Sequence, residues 1–170
     1  MVADANRLPF RSATFDACWA RAVLIHSPDA ASVVREIARV LRPGGRTVLS
    51  EPDHGTHVVA TDEQAVFEAV LAHRRTRFRD PIVGRELPHL ATIAGLEITA
   101  TWATPIVLRS YQQALAAGGP FGTAVDDAVA DGAISNSDAE RYDASLRKRD
   151  AEGSFLFTGV SVTMAAQRPA

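Results

Sequence analysis

The stretch Thr14 to Asp53, TFDACWARAVLIHSPDAASVVREIARVLRPGGRTVLSEPD, decides how the chain reads. Phe15 to Trp19 is a short, mostly apolar run, as expected of a strand covered on both faces. After a turn, Val33, Val34, Ile37, Val40 and Leu41 recur at helical spacing, with Ser27 as the expected cap and Pro28 in the first turn beside Asp29. Arg42-Pro43-Gly44-Gly45 is the expected helix stop, and Thr47 to Ser50 resumes as strand. Strand, helix and strand in that order make one βαβ unit of a parallel sheet. Ligands of open α/β sheets sit at the carboxyl ends of the strands, here around Ala20 to Ser27 and Glu51 to His57.

Upstream, Met1 to Ala5 reads as the tail of a strand and Asn6 to Phe10 as a loop, so the chain is expected to enter its sheet partway through. A complete doubly wound fold would carry further strands and a glycine-rich first turn before this point. The one dense glycine cluster, Gly118-Gly119-Pro120-Phe121-Gly122, follows no strand and reads as a plain loop. Downstream, Pro52 to Ala60 reads as a loop, and a helix starts near Thr61 and ends on the basic run Arg74 to Arg79, which suits the negative pole of a helix. A shorter helix through Leu87, Leu90 and Ile93 is closed by Gly95, and Glu97 to Leu108 reads as a strand that leaves the sheet near Pro105. Tyr111 to Ala117, Ala124 to Ala130 and Ser137 to Asp150, the last with Ser137 and Glu140 as its capping box, read as helices of a small cap over 111–153. Ser154 to Gln167 closes the chain as a strong strand.

With 170 residues, 46% of them hydrophobic, the chain is long enough for a single domain with a real core. A formal net charge of -2 asks for neither nucleic acid nor an anionic membrane, leaving a small molecule or another protein as the partner. The single cysteine, Cys18, excludes an internal disulfide and reads as an inert buried thiol. No run approaches the roughly 20 apolar residues of a membrane span, and no apolar signal core follows Met1, so a cytoplasmic protein is expected.

The segment ADANRLPFRSATFDACWARAVLIHSPDAASVVREIARVLRPGGRTVLSEPD closely resembles the middle of class I S-adenosylmethionine-dependent methyltransferases, in the branch with quinone-biosynthesis and natural-product enzymes. The residues that carry the resemblance are Asp4-Ala5, Leu8-Pro9-Phe10, Phe15-Asp16, His26, Glu36, Arg39-Val40-Leu41, Pro43-Gly44-Gly45 and Glu51-Pro52. It continues more weakly through Gly84-Arg85, Leu87-Pro88, Ala94-Gly95-Leu96 and Phe157-Thr158-Gly159. It implies an α/β fold: a partial Rossmann-like sheet made of the later strands, the last one antiparallel, flanked by helices and with a small helical cap. It also implies S-adenosylmethionine as cofactor. Asp4 matches the acid that receives the adenine amino group, Ala5, Asn6 and Leu8 its surroundings, Ala20, Arg21 and Ala22 the lining of the methionine end, and His26 a position near the methyl donor.

The family's Gly-x-Gly turn and the acid that holds the ribose have no counterpart in these residues. The strand at Thr14 to Trp19 would then lack its inner neighbour, which leads to the expectation of either a truncated enzyme or a homodimer in which a second chain completes the edge. Transfer of a methyl group requires in-line geometry, and a base helps when the acceptor is a hydroxyl or an enolisable carbon; His26, Glu51 and His54 are the candidates. His26 stands open between a site role and a structural one, whereas His54 reads first as an exposed loop histidine. Asp53, His54 and His57 lack the frame and third committed ligand of a metal site. Asp16 reads as a backbone anchor, and Trp19 and Trp102 as core. Methyl transfer to a small organic acceptor is the first reading and a catalytically silent interaction subunit the second. A nicotinamide dehydrogenase is disfavoured because no dinucleotide fingerprint is present.

Overall fold

The structure, a computed structural model, describes residues 3–170. The strand tail expected at Met1 to Ala5 falls partly outside these residues, and Ala3 and Asp4 are not in a strand. The described strands and helices run β1 (Phe15–Arg21), α1 (Ala30–Val40), β2 (Leu41–Val59), α2 (Gln64–Arg75), α3 (Leu87–Ile93), β3 (Glu97–Leu108), α4 (Tyr111–Ala117), α5 (Thr123–Ala130), α6 (Asn136–Ala151) and β4 (Phe157–Gln167), with single 3-10 turns at Leu24–His26 and Val83–Glu86. The four strands form one sheet in the order β1-β2-β4-β3.

β1 and β2 are parallel, with Trp19 beside Val48 and Arg21 beside Ser50. β4 runs against β2, because Gly44 and Gly45 bond to Arg168 at one end while the Ser161 hydroxyl reaches the Glu51 carbonyl further along. The sheet is therefore mixed, and its last strand is antiparallel, as the sequence led us to expect. α1 forms where it was expected because Val33, Val34, Ile37 and Val40 share one buried stripe. Its cap is Asp29 rather than Ser27: the Asp29 carboxylate accepts the Ser32 N–H at 2.8 Å, and Ser27 instead accepts the N–H of Asp29.

β2 corrects two expectations. The helix is already over at Val40, and Arg42 to Gly45 belongs to the strand rather than to a helix stop. Between the rungs Phe15–Leu41 and Ala17–Arg46 the register with β1 slips, so the extra residues bulge; Gly44 takes φ +76° there, and a methyl group on Gly45 would stand 2.8 Å from the Arg42 carbonyl. Pro52 to Ala60 is not a loop: β2 continues through it to Val59. Both prolines sit where the ladder to β1 is absent, Pro43 in the slip and Pro52 past the last rung at Ser50, so their missing N–H groups cost no pairing there. Likewise β3 is one strand through Pro105 to Leu108, rather than one that leaves the sheet at the proline.

The chain divides into two compact units. The first comprises 1–55, 79–104 and 160–170, and holds β1, most of β2 and β4, α1 and α3. The second comprises 56–78 and 105–159 and has a core of its own, in which Phe67, Tyr111, Phe121, Tyr142, Leu146, Phe155 and Phe157 are buried. The helices of 111–153 thus supply buried aromatic packing to that unit. Its basic stretch is tied to acids of the same unit, with His73 2.9 Å and Arg77 3.3 Å from Asp131. The capping box of α6 is Ser135 with Asp138, displaced from the expected Ser137 and Glu140.

Three core or anchor expectations in the first unit fail on β1, which among the described residues is the terminal strand of the sheet. Trp19 is 72% exposed, Cys18 is only half-buried, and Asp16 is exposed and pairs with the Arg42 guanidinium at 2.6 Å rather than with backbone. On β3, Trp102 is 44% exposed, so it is not core either.

Candidate functional site

The candidate site lies in the first unit, where the loop before β1 meets the carboxyl end of that strand. The loop is fixed by a four-way clamp. Glu36 on α1 accepts the Leu8 N–H at 2.7 Å and both ends of the Arg39 guanidinium, and Arg39 in turn donates to the Leu8 and Phe10 carbonyls. The guanidinium hydrogen bond is the main reason that the Glu36 carboxyl sits below its ordinary pKa. Clamped in this way, Ala5, Leu8 and Phe10 form one wall of a largely apolar hollow of about 300 Å³, whose other wall is Ala17, Ala20, Val23 and the α1 face.

At the same loop, Asp4 Oδ1 accepts the Asn6 N–H at 2.8 Å and the Asn6 amide at 3.0 Å. These bonds hold the exposed carboxyl below its ordinary pKa, so it remains an anionic acceptor at neutral pH. Asn6 also joins the loop to the segment after β1: its side-chain oxygen accepts from the Ser27 hydroxyl at 3.2 Å and its carbonyl from Ser32 at 3.4 Å.

β1 ends in a sharp turn. Ala22 takes φ +51°, unusual for a residue with a Cβ, while its N–H still donates to the Ser50 carbonyl. The turn then folds into the 3-10 segment around a buried carboxyl: Glu51 Oε1 accepts the Val23 and Leu24 N–H groups, each at 2.9 Å, and Oε2 accepts that of Ile25 at 3.3 Å. Glu51 is 0% exposed. Burial raises its pKa, opposed by the three backbone donors and by the nearby His26. Because both oxygens are occupied by backbone, Glu51 suits positioning of the turn rather than contact with a substrate.

Of the expected site residues, Ala5, Leu8 and Ala20 share the hollow, Asp4 and Asn6 are joined to its loop, and Arg21, Ala22 and His26 are exposed on the turn held by Glu51. His54 is elsewhere: it is 6% exposed within β2, its N–H donating to the Pro81 carbonyl, so it is not the exposed loop histidine that its surroundings in the sequence suggested. Its neighbour Asp53 takes the Arg85 guanidinium at 2.6 and 3.1 Å. Among the described residues no group of three or more His, Cys, Asp or Glu could hold a metal ion. The Glu36–Arg39 clamp and the turn role of Glu51 link residues some 28 positions apart, which no local sequence signal reports.

Residues 1–49 match a family model described as a methyltransferase domain. The chain is 53% identical over 49 residues to 27-O-demethylrifamycin SV methyltransferase of Amycolatopsis mediterranei and 50% identical over 50 residues to methyltransferase GfsG of Streptomyces halstedii. The chain is thus similar to the class I S-adenosylmethionine-dependent methyltransferases. The relationship extends beyond the motif region, since malonyl-[acyl-carrier protein] O-methyltransferase of Erwinia pyrifoliae is 30% identical over 157 residues, 90% of this chain. The chain spans only part of these methyltransferases: 18% of the length of each of the first two and 56% of the third. In fold, the YcgJ protein of Bacillus subtilis matches at a TM-score of 0.56 and 21% identity over 99% of this chain and 70% of its own length. Geranyl diphosphate methyltransferase matches at 0.50 and 18%, over 99% of this chain and 52% of its own. Such low identities speak for the shared α/β fold alone.

Proposed function

We propose that this chain takes part in S-adenosylmethionine-dependent methyl transfer to a small organic acceptor. The observation that carries the reading is the placement of the methyltransferase motif residues in one locale: Asp4 and Asn6 on a loop bonded to Ser27, with Ala5, Leu8 and Ala20 lining one hollow. The fit with the cofactor is chemical. An ionised acceptor stands next to an apolar hollow, which suits a flat nucleobase with an exocyclic amine.

In this reading Asp4 accepts the adenine amino group, Ala5, Asn6 and Leu8 border the ring, and Ala20, Arg21 and Ala22 border the methionine end. The cofactor, when bound, supplies an electrophilic methyl group on sulfur. The protein's work is to hold the acceptor in line and keep water out. His26, on the turn fixed by Glu51, takes the proton of the acceptor, and Glu51 sets where His26 stands.

Calorimetric titration with S-adenosylhomocysteine tests the reading, with Asp4→Ala as control. Binding that weakens in the variant supports it, and absence of heat at millimolar ligand refutes it. A second reading, an interaction subunit without transferase activity, is favoured by the exposed indole of Trp19 on β1. Transfer of labelled methyl to any acceptor by the 170-residue chain alone would exclude that second reading.

A further inference from the structure

The 3-10 turn Val83–Glu86 carries a guanidinium that the first unit holds in one orientation. Asp53, on β2 past its last rung with β1, is 3% exposed. Its carboxylate takes Arg85 Nε at 2.6 Å and Nη2 at 3.1 Å, and its Oδ1 also accepts the Gly55 N–H at 2.7 Å. Arg85 Nη2 lies directly over Gly55, where a Cβ would collide with it and stand 2.9 Å from Asp53 Oδ1. The segment leading into the turn is already held by backbone. The Pro81 carbonyl accepts the His54 N–H at 3.0 Å, and the Ile25 carbonyl accepts those of Arg79 at 3.0 Å and Asp80 at 3.4 Å. The bonds to Ile25 also set this turn against the turn Leu24–His26.

What the ion pair fixes, then, is the direction of the guanidinium. Such a group offers its N–H donors in a planar fork: a side edge of Nε with Nη2, and an end edge shared by both Nη atoms. Asp53 occupies the side edge. Among the described residues no acceptor meets Arg85 Nη1, and the side chain remains half-exposed, so the end edge is open.

We propose that the end edge of Arg85 binds a carboxylate of the methyl acceptor, which makes that acceptor a small organic acid. Two parallel N–H groups match the two oxygens of a carboxylate, a fit that an ammonium or a lone donor does not offer. Because Asp53 is buried and holds the other edge, little side-chain freedom is lost when the anion arrives. The acid is held at one end by Arg85, and the rest of it extends along the turn of His26, the proton acceptor in the methyl-transfer reading. The inference rests on that reading for what the carboxylate belongs to, whereas carboxylate binding stands on the guanidinium itself.

The test is titration of the intact chain with para-hydroxybenzoate and with its uncharged counterpart para-hydroxybenzamide. Nitrogen–proton correlation spectra report it at the Arg85 Nε–H and at the backbone amide of residue 85. We expect saturable shifts with the benzoate at millimolar concentration and about tenfold weaker binding of the benzamide. Arg85→Gln should erase that difference. Gly55→Ala keeps every charge but pushes Nη2 aside, and should erase it too, which a merely attractive positive charge would not explain. If Arg85→Gln fails to fold because Asp53 is left buried alone, Asp53→Asn combined with Arg85→Gln removes both charges together and carries the same expectation. Equal affinity for the two probes, or binding of neither, overturns the proposal, as does a carboxylate preference that survives the loss of Arg85. Titration of the same samples with S-adenosylhomocysteine separates the two claims. Cofactor binding without carboxylate preference removes the acid anchor and leaves methyl transfer standing; carboxylate preference without cofactor binding removes methyl transfer, and the naming of the acceptor with it.

Discussion

The Glu51 carboxylate, at the far end of the β1–β2 ladder, accepts the Leu24 N–H at 2.9 Å and so fixes the turn that follows β1 from inside the protein. Removing it strands three backbone donors, two of them fully buried. Each buried unpaired donor costs about 1–3 kcal/mol. Glu51→Ala is therefore expected to destabilise the fold by about 3 kcal/mol or more in urea unfolding. A loss within a few tenths of a kcal/mol of zero would mean that the turn does not depend on this residue.

Arg39 is expected to govern the order of the loop before β1 more than global stability. Its guanidinium joins Glu36 to the Leu8 and Phe10 carbonyls. In Arg39→Ala the Leu8 amide should lose about tenfold or more of its protection in hydrogen exchange, with the protection of α1 core amides retained. Equal loss at both places would make the clamp a general fold determinant instead.

Gly45 is crowded by backbone rather than by side chains. A Cβ there would lie 2.8 Å from the Arg42 carbonyl and 3.2 Å from the Asp16 carbonyl, both backbone atoms that cannot swing aside. Gly45→Ala should cost about 1–3 kcal/mol. Gly95→Ala is the comparison, because at Gly95 a Cβ meets nothing and only its φ of +73° opposes the change. The thermal melting points of the two variants separate crowding from conformational strain.

What could be read from the sequence followed from periodicity. The buried stripe of α1, the parallel pairing of β1 with β2 and the bounds of α4 agree with the structure because each is written in neighbouring residues, whereas the antiparallel last strand was implied only by the family resemblance. β2 was hidden because Pro43-Gly44-Gly45 and Pro52 to Gly55 are punctuation in any local reading. Only the slipped register and the early end of β1 show why a strand tolerates them. The exposure of Trp19 and the inward turn of His54 were likewise not legible, since both depend on which strands stand alongside.

The capping box of α6 supplies a pH test in the second unit. The Ser135 hydroxyl and N–H, with Arg141, hold the Asp138 carboxyl at about 2. A depressed carboxylate contributes stability that is present above its unfolded pKa and lost as pH falls through its folded one. Thermal melting should thus weaken between the usual aspartate range and pH 2, and Ser135→Ala, at a cost of about 1 kcal/mol near neutrality, should blunt that acid slope. An unchanged slope in Ser135→Ala would assign the acid response to other carboxylates.

The central claim is that the Asp4 loop and the end of β1 form the nucleobase side of an S-adenosylmethionine site. Calorimetric titration of the chain and of Asp4→Ala with S-adenosylhomocysteine, from pH 8 down to 5, tests it most directly. The expected result is binding that stays level across that range, because Asp4 is held below its ordinary pKa, and that weakens about tenfold in the variant. Absence of binding at millimolar ligand, or equal binding by the variant, would contradict it.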